Sequence, residues 1–135
     1  MRLVSVVASV LLLAGCASTG TVTINQAVFE VTIADEPAEQ ELGLGDTSAL
    51  ASNQGMLFLF ADSAPQTFWM KDVEYPIDII WINDQTVVGS VTAYPGPGTY
   101  ASPQPVDTVL EVPAGTVVTE QIEVGDNVDG LSILR

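Results

Sequence analysis

The chain has 135 residues, 17 acidic side chains, three basic side chains and no histidine, which gives a net charge of −14. This charge disfavours contact with nucleic acid and with anionic membrane surfaces, because both would be repelled. The lack of histidine excludes imidazole metal sites and serine–histidine or cysteine–histidine nucleophiles. The sequence also has no phosphate-binding glycine loop and no EF-hand spacing in its acidic segment at residues 125–130, so we expect neither a bound metal nor a cofactor.

The chain begins with a pattern typical of an exported lipoprotein. Arg2 precedes an apolar stretch that is too short to span a bilayer, so residues 1–15 are predicted to be a signal peptide. The sequence Leu-Ala-Gly-Cys at residues 13–16 resembles a bacterial lipobox, which implies cleavage before Cys16 and acylation, for example with palmitate. Cys16 is the only cysteine, so an internal disulfide is excluded.

These features predict where the protein resides and how its domain is organised. Two or more acyl chains on Cys16 would anchor the protein in a membrane of the cell envelope. Because Ala17 rather than aspartate follows the cysteine, we expect the outer membrane if the cell has one. Residues 16–20 would be a lipidated tether and residues 21–135 a single β domain, since no repeat or composition shift marks a second one. The oligomeric state stays open.

The first half of the domain predicts strands around one short helix. Residues 22–33 form an extended, β-branched pattern that predicts a strand. Asp35 as the N-cap, Pro37 in the first turn and Gly43 at the end predict a short helix. Residues 55–60 form a continuous apolar run between turn residues, which predicts a strand buried on both faces.

The second half of the domain predicts short strands separated by turns. These strands are predicted at residues 67–71, 77–83, 86–92, 106–112, 117–124 and 131–134. The proline- and glycine-rich segment at residues 94–105 predicts a surface loop. Many short strands with one short helix indicate a mostly β protein, either a compact jelly-roll-like sandwich or a partly open barrel.

Lys71 is the only basic residue between Cys16 and Arg135, and its surroundings suggest a site. Residues 68–82 predict a hairpin in which Lys71 lies opposite Asp78, since this register pairs apolar residues with apolar ones and the cation with an anion. The two predicted faces hold Phe68, Met70, Ile79 and Trp81 on one side, and Trp69, Lys71, Asp78 and Ile80 on the other. Because a buried ammonium needs a partner, we expect a Lys71–Asp78 ion pair.

Five short motifs occur in one order along the domain. They are Gly-Met-Leu-Phe at residues 55–58, Phe-Trp-Met-Lys at 68–71, Pro-Ile-Asp at 76–78, Val-Leu-Glu-Val-Pro-Ala-Gly at 109–115 and Gly-Asp at 125–126. Together they resemble the bacterial and archaeal family catalogued as domain of unknown function 192, over residues 28–128. The resemblance implies a compact, mostly β, jelly-roll-like domain that is often exported, and it implies no activity. The family's usual arginines after the short helix are missing here, where residues 43–46 are Gly-Leu-Gly-Asp.

Three functions stay open at this point. The leading prediction is a non-enzymatic, lipid-anchored binding or accessory module, with Trp69, Lys71 and Asp78 binding a small sugar-like or anionic ligand. The alternative is a small envelope enzyme, directed at glycans and hydrolase-like, that uses Asp72, Glu74 or Asp78 together with Lys71. The third is a purely structural envelope protein, in which the Lys71–Asp78 pair only fixes the strand register.

Overall fold

The computed structural model describes residues 17–135, so the predicted signal peptide and Cys16 lie outside the described residues. The strands of this part are β1 (Thr19–Ile24), β2 (Ala27–Ala34), β3 (Gln54–Ala64), β4 (Thr67–Trp69), β5 (Ile77–Asn83), β6 (Thr86–Ala93), β7 (Thr99–Ala101), β8 (Val106–Pro113) and β9 (Val128–Asp129). The helices are α1 (Pro37–Leu42), α2 (Thr116–Thr119) and a 3-10 turn at Leu131–Ile133. None of these helices is long and apolar enough to cross a bilayer.

Seven of these strands form one sheet, in the order β6-β5-β8-β3-β2-β1-β9. Strands β2 and β3 are parallel and are joined through α1, and the other neighbours in the sheet are antiparallel. Strands β4 and β7 pair antiparallel in a separate two-stranded sheet. The main sheet curls into a half-barrel, which confirms the predicted mostly β fold with a partly open barrel.

Apolar side chains cover both faces of the main sheet, because its central strands are apolar at nearly every position. In β5, Ile80 and Ile82 pack into one cluster, whereas Ile77, Ile79 and Trp81 pack into a second cluster on the opposite face. Side chains from β4 and β7 cover this second cluster. As predicted, the first part of β3 is buried on both faces.

The N-terminal strand prediction is corrected in two ways. Residues 22–33 belong to two strands rather than one, because β1 and β2 form a hairpin with a turn at Asn25. Asn25 has a φ of 56°, in the left-handed region that asparagine tolerates. Strand β1 begins at Thr19, so Thr19 and Gly20 of the predicted tether lie in the sheet.

The predicted short helix is confirmed, with its start one residue later than expected. Its N-cap is Glu36 rather than Asp35, and Gly43 ends it as predicted. The Glu39 carboxylate accepts hydrogen bonds from the backbone N–H groups of Asp35 and Glu36, at 3.3 and 3.2 Å. This arrangement satisfies N–H groups that precede the first helical turn.

At three places in the C-terminal half, the kind of secondary structure differs from the prediction. Residues 117–124 hold most of α2 and the turns after it instead of a strand, and residues 131–134 hold the 3-10 turn. The predicted surface loop at 94–105 contains β7, which pairs with β4. Before the 3-10 turn, Gly130 has a φ of 98°, and a Cβ there would lie 2.6 Å from the Thr21 carbonyl oxygen, so this approach requires glycine.

Candidate functional site

The predicted ion pair between Lys71 and Asp78 does not form. Within residues 17–135 the one ion pair joins Arg135 to Asp107. Strand β5 pairs with β6 and β8, whereas β4 pairs with β7, so residues 68–82 are not a hairpin. The predicted register is wrong because β4 and β5, although adjacent in sequence, lie in different sheets.

Asp78 serves a different part of the fold. It is only 2% exposed, and one of its carboxylate oxygens accepts a hydrogen bond from the Thr92 hydroxyl at 2.7 Å. The other oxygen accepts from the backbone N–H of Val117, in the first turn of α2, at 2.9 Å. A carboxylate at a helix start satisfies an otherwise unpaired N–H group and interacts favourably with the helix dipole. Both oxygens of Asp78 therefore have partners within the protein.

The predicted apolar face from Phe68 to Trp81 is confirmed although the hairpin is not. Phe68 contacts Phe58 edge-on, with ring centroids 4.8 Å apart, and contacts Trp81 in the same manner at 5.6 Å. Met70 and Ile79 belong to the same cluster. The two-stranded sheet of β4 and β7 thus packs onto the main sheet through the inward face of β4.

Because Phe68 faces inward, its neighbour Trp69 faces outward, and Trp69 is 49% exposed. Lys71 is also exposed, and its ammonium nitrogen lies 5.6 Å from the centroid of the Trp69 ring. A cation–π contact of this kind contributes about 0.5–1 kcal/mol at an exposed site. The premise that Lys71 is buried was therefore wrong, and the ammonium needs no carboxylate partner. Asp78 extends from the opposite face of the main sheet, away from Trp69 and Lys71.

A cavity of about 280 Å³ adjoins Trp69. Its lining residues come from α1, β3 and the segment through β4, and they are Gln40, Glu41, Phe58, Phe60, Gln66, Thr67, Phe68 and Trp69. Four of these eight are aromatic, and the others carry amide, hydroxyl or carboxylate groups. Aromatic walls with a few polar groups are typical of small-molecule sites.

The acids of the predicted enzymatic alternative lie in a different cavity. Asp72 and Glu74 come together with Tyr75 and Asp46 around an open cavity of about 500 Å³. Lys71 is not among the residues that line it. The structure therefore brings two of the proposed carboxylates together and separates them from the Trp69 cavity.

Glu111 is a notable residue that the sequence reasoning missed. It is only 4% exposed, and burial raises the pKa of its carboxyl to about 8. Tyr75 lies close enough for electrostatic interaction: burial, and after it the charge of Glu111, raise the pKa of the Tyr75 hydroxyl. An available signal was the single acid inside the apolar run at residues 109–112, Val-Leu-Glu-Val.

A surface depression of about 890 Å³ lies between α2 and the β1–β2 turn. None of the predicted site residues lines it. Beside it the Asn25 side-chain amide donates to the Gln121 carbonyl oxygen at 3.2 Å and to the Asp126 carboxylate at 3.0 Å. These bonds hold the β1–β2 turn against the segment after α2, so the Asn25 side chain has a structural role here.

The sequence of this chain matches one known protein family. The family DUF192, described as Uncharacterized ACR, matches residues 20–130. The chain belongs to the DUF192 family. This confirms the resemblance seen in the five sequence motifs, and DUF192 is an uncharacterised family. No curated protein matches the chain.

Solved structures resemble this DUF192 domain over nearly its whole length. One is a protein from Sinorhizobium meliloti 1021, described provisionally as a transcription regulator, with 29% identity and a TM-score of 0.80. The match covers 85% of this chain and 95% of that chain. Another is a protein of unknown function from Novosphingobium aromaticivorans DSM 12444, with 27% identity and a TM-score of 0.81, covering 87% of this chain and 89% of that chain. Both agree with the half-barrel fold.

Proposed function

We propose that this DUF192 protein is a lipid-anchored binding module of the cell envelope, which takes a small sugar-like ligand into the cavity beside Trp69. The observation that carries the proposal is the half-exposed indole of Trp69 at the edge of an aromatic cavity. What sets Trp69 apart from other exposed apolar side chains is its place at the edge of this cavity, where its half-exposed indole offers a ligand both an apolar ring and a polar N–H group.

The chemistry of the cavity favours a sugar-like ligand. The faces of the aromatic walls suit the C–H surface of a sugar ring, and the side chains of Gln66 and Thr67 offer hydrogen bonds to hydroxyl groups. The Gln40 amide nitrogen already donates to two backbone carbonyl oxygens, so only its amide oxygen is left to accept from a ligand. The Lys71 ammonium nitrogen, 5.6 Å from the centroid of the Trp69 ring, would suit an anionic substituent such as a carboxylate. Asp78 has no part in this proposal, because its oxygens are occupied by Thr92 and Val117.

The proposed anchor is the acylated Cys16. Only Ala17 and Ser18 separate this cysteine from β1, so acyl chains on Cys16 would hold the domain close to the membrane surface. The net charge of −14 argues against carrying over the provisional description of the Sinorhizobium protein, because DNA would repel so acidic a chain.

Ligand binding is tested by isothermal titration calorimetry of the protein with neutral and uronic-acid-containing oligosaccharides, a readout that does not depend on the Trp69 indole. We expect saturable binding that Trp69→Ala abolishes and that Tyr94→Ala, which removes another exposed aromatic side chain, leaves intact. Lys71→Met should weaken the acidic sugars alone. Binding that survives Trp69→Ala unchanged would refute the cavity assignment.

The anchor is tested separately by fractionating cells that make the full chain or its Cys16→Ser variant. We expect the full chain with the membranes, carrying acyl groups on Cys16 by mass spectrometry, and the variant released from them. An unacylated Cys16 in the mature protein would refute the anchor without affecting the ligand proposal.

A further inference from the structure

An apolar cavity of about 180 Å³ opens beside Ala17, the first residue that the structure describes. It lies between α1, the loop after α1, the end of β2 and the start of β3. It shares no lining residue with the cavity beside Trp69, so it is a separate site, called here the Ala17 cavity. Six of the side chains that line it are apolar, and they are Ala17, Ile33, Leu42, Leu44, Leu50 and Met56.

The Ala17 cavity has an apolar floor and a negatively charged rim. Ile33, Leu44 and Met56 are no more than 8% exposed and form the floor. Asp46 is exposed and Glu39 is partly exposed, so their carboxylates lie at the rim, and none of the described residues that line the cavity is basic. Such a rim repels the carboxylate of a free fatty acid. It tolerates an apolar chain that is joined to the protein through an uncharged link.

The segment that leads to this cavity is fixed to the sheet. The backbone N–H of Ile33 donates to the Ser18 carbonyl oxygen at 2.8 Å, one residue after Ala17. Successive Cα atoms are about 3.8 Å apart, so Cys16 adjoins a residue that itself lines the cavity. An acyl chain on the Cys16 amino group would therefore begin beside the Ala17 cavity. Because the chain and the cavity belong to one molecule, their encounter is intramolecular, at a high effective concentration.

We propose that the amide-linked acyl chain of mature Cys16 occupies the Ala17 cavity. This inference rests on the acylation of Cys16 proposed above, and it is independent of the ligand beside Trp69. An apolar cavity of about 150 Å³ accommodates benzene, so one of about 180 Å³ takes roughly six to eight carbon atoms of the chain. The rest of this chain and the chains on the thiol remain in the bilayer.

The driving force comes from the walls of the cavity rather than from the acyl chain. A bilayer is as apolar as the cavity floor, so the chain itself gains little by moving from one to the other. The protein gains, because apolar wall that faces water is covered. Leu42 at the end of α1 is 51% exposed, and Leu50 is partly exposed, so both have apolar surface left to bury.

The test is photocrosslinking of the full chain in cells that are fed a fatty acid with a diazirine near its sixth carbon. The mature protein is irradiated in its membranes, purified and digested after glutamate, which separates residues 16–30 from residues 42–74. We expect mass spectrometry to find these two peptides joined through the acyl chain. The link should survive mild alkali, which cleaves the esters of the thiol-linked chains and leaves the amide intact.

Two variants with one added charge are compared with the parent. Leu42→Glu places a carboxylate at the mouth of the cavity and should lower the yield of the joined peptides at least fivefold. Val118→Glu places the same group on an exposed residue of α2, at the depression away from this cavity, and should leave the yield unchanged. Circular dichroism shows whether each variant is folded. If Leu42→Glu is not folded, Leu50→Gln takes its place, with at least a threefold loss expected.

The outcomes separate this inference from the proposed anchor. A mature Cys16 without acyl groups would refute both. An acylated Cys16 whose chain crosslinks only to lipid, or only through an alkali-labile ester, would refute the inference and leave the anchor standing. Equal labelling of residues 42–74 in the Cys16→Ser variant would show that a free fatty acid fills the cavity instead. A folded Leu42→Glu variant, or Leu50→Gln in its place, that crosslinks like the parent would also overturn the inference.

Discussion

The carboxylate of Asp78 accepts a hydrogen bond from the backbone N–H of Val117 at 2.9 Å, and this bond ties β5 to the start of α2 across 39 residues of sequence. The same carboxylate accepts from the Thr92 hydroxyl of β6 at 2.7 Å. Asp78 therefore joins three elements at a buried position, and its charge is balanced by donors rather than by a cation.

Replacing Asp78 should destabilise the fold. Asp78→Ala should lower the free energy of unfolding by about 2 kcal/mol, because it removes a cap and leaves the partly buried Val117 N–H without its partner. Asp78→Asn should cost about half as much, since the amide oxygen can still accept from Val117. Urea denaturation measures both values. A loss below about 0.5 kcal/mol for Asp78→Ala would contradict the capping role.

Glu111 should make the stability depend on pH. Its pKa is about 8 in the folded protein and about 4.3 in the unfolded chain, so the folded state holds a proton that the unfolded state releases. The contribution of Glu111 to stability is therefore highest below the unfolded pKa, falls as the pH rises towards 8, and stays constant above it. Between these two pKa values, the Glu111 contribution to the free energy of unfolding should fall by on the order of 1 kcal/mol per pH unit.

The matched comparison is Glu111→Gln, which keeps the shape of the side chain and cannot ionise. Urea denaturation at several pH values between 5 and 8 should show that the parent loses more stability with rising pH than the variant does. Other acids contribute equally to both proteins and cancel in this difference. Identical pH dependence in the two would mean that Glu111 ionises normally in the folded state.

The strand at residues 77–83 was predictable with its bounds, because isoleucine and tryptophan residues between Pro76 and the turn at Asn83 and Asp84 favour a strand. The partners of Asp78 were not predictable, since Thr92 and Val117 come near it only through long-range folding. The residues of α2, Thr-Val-Val-Thr, are β-branched and favour a strand by local preference. Tertiary contacts overrode that preference, as they often do for short segments.

Part of the candidate site could also be predicted from the sequence. Strand alternation places Trp69 on the face opposite Phe68, and the structure agrees. The burial of Lys71 was an assumption about its neighbours, and the pairing of β4 with β7 through a segment predicted to be a loop overturned it. The cavity beside Trp69 depends on how α1 and β3 approach β4, and no local pattern encodes that approach.

Lys71→Met should leave the free energy of unfolding within about 0.5 kcal/mol of the parent value, because Lys71 is exposed and its contact with Trp69 is weak. A buried Lys71–Asp78 pair would instead have cost about 3–5 kcal/mol on losing one member. Met70→Ala is the matched comparison, since Met70 is the buried neighbour, and it should cost about 2–5 kcal/mol. Equal losses in the two variants, measured by urea denaturation, would show that Lys71 is structural.

Arg135 links two strands of the main sheet. Its guanidinium donates to the carbonyl oxygens of Phe60 and Asp107, both at 3.2 Å, and to the Thr108 hydroxyl at 2.6 Å. It also forms an ion pair with the Asp107 carboxylate at 2.9 Å. Strands β3 and β8 are thereby held together beyond their own backbone hydrogen bonds.

Arg135→Ala should lower the free energy of unfolding by about 1–2 kcal/mol, since the bonds to Phe60 and Thr108 are lost together with a partly exposed ion pair. Arg135→Lys should recover only part of this, because an ammonium keeps the charge and cannot reach all of these acceptors at once. Urea denaturation of the three proteins at low and high salt separates the contribution of the ion pair from that of the hydrogen bonds. Added salt should weaken the ion pair and leave the hydrogen bonds unchanged. Full recovery by lysine would mean that charge alone explains the role of Arg135.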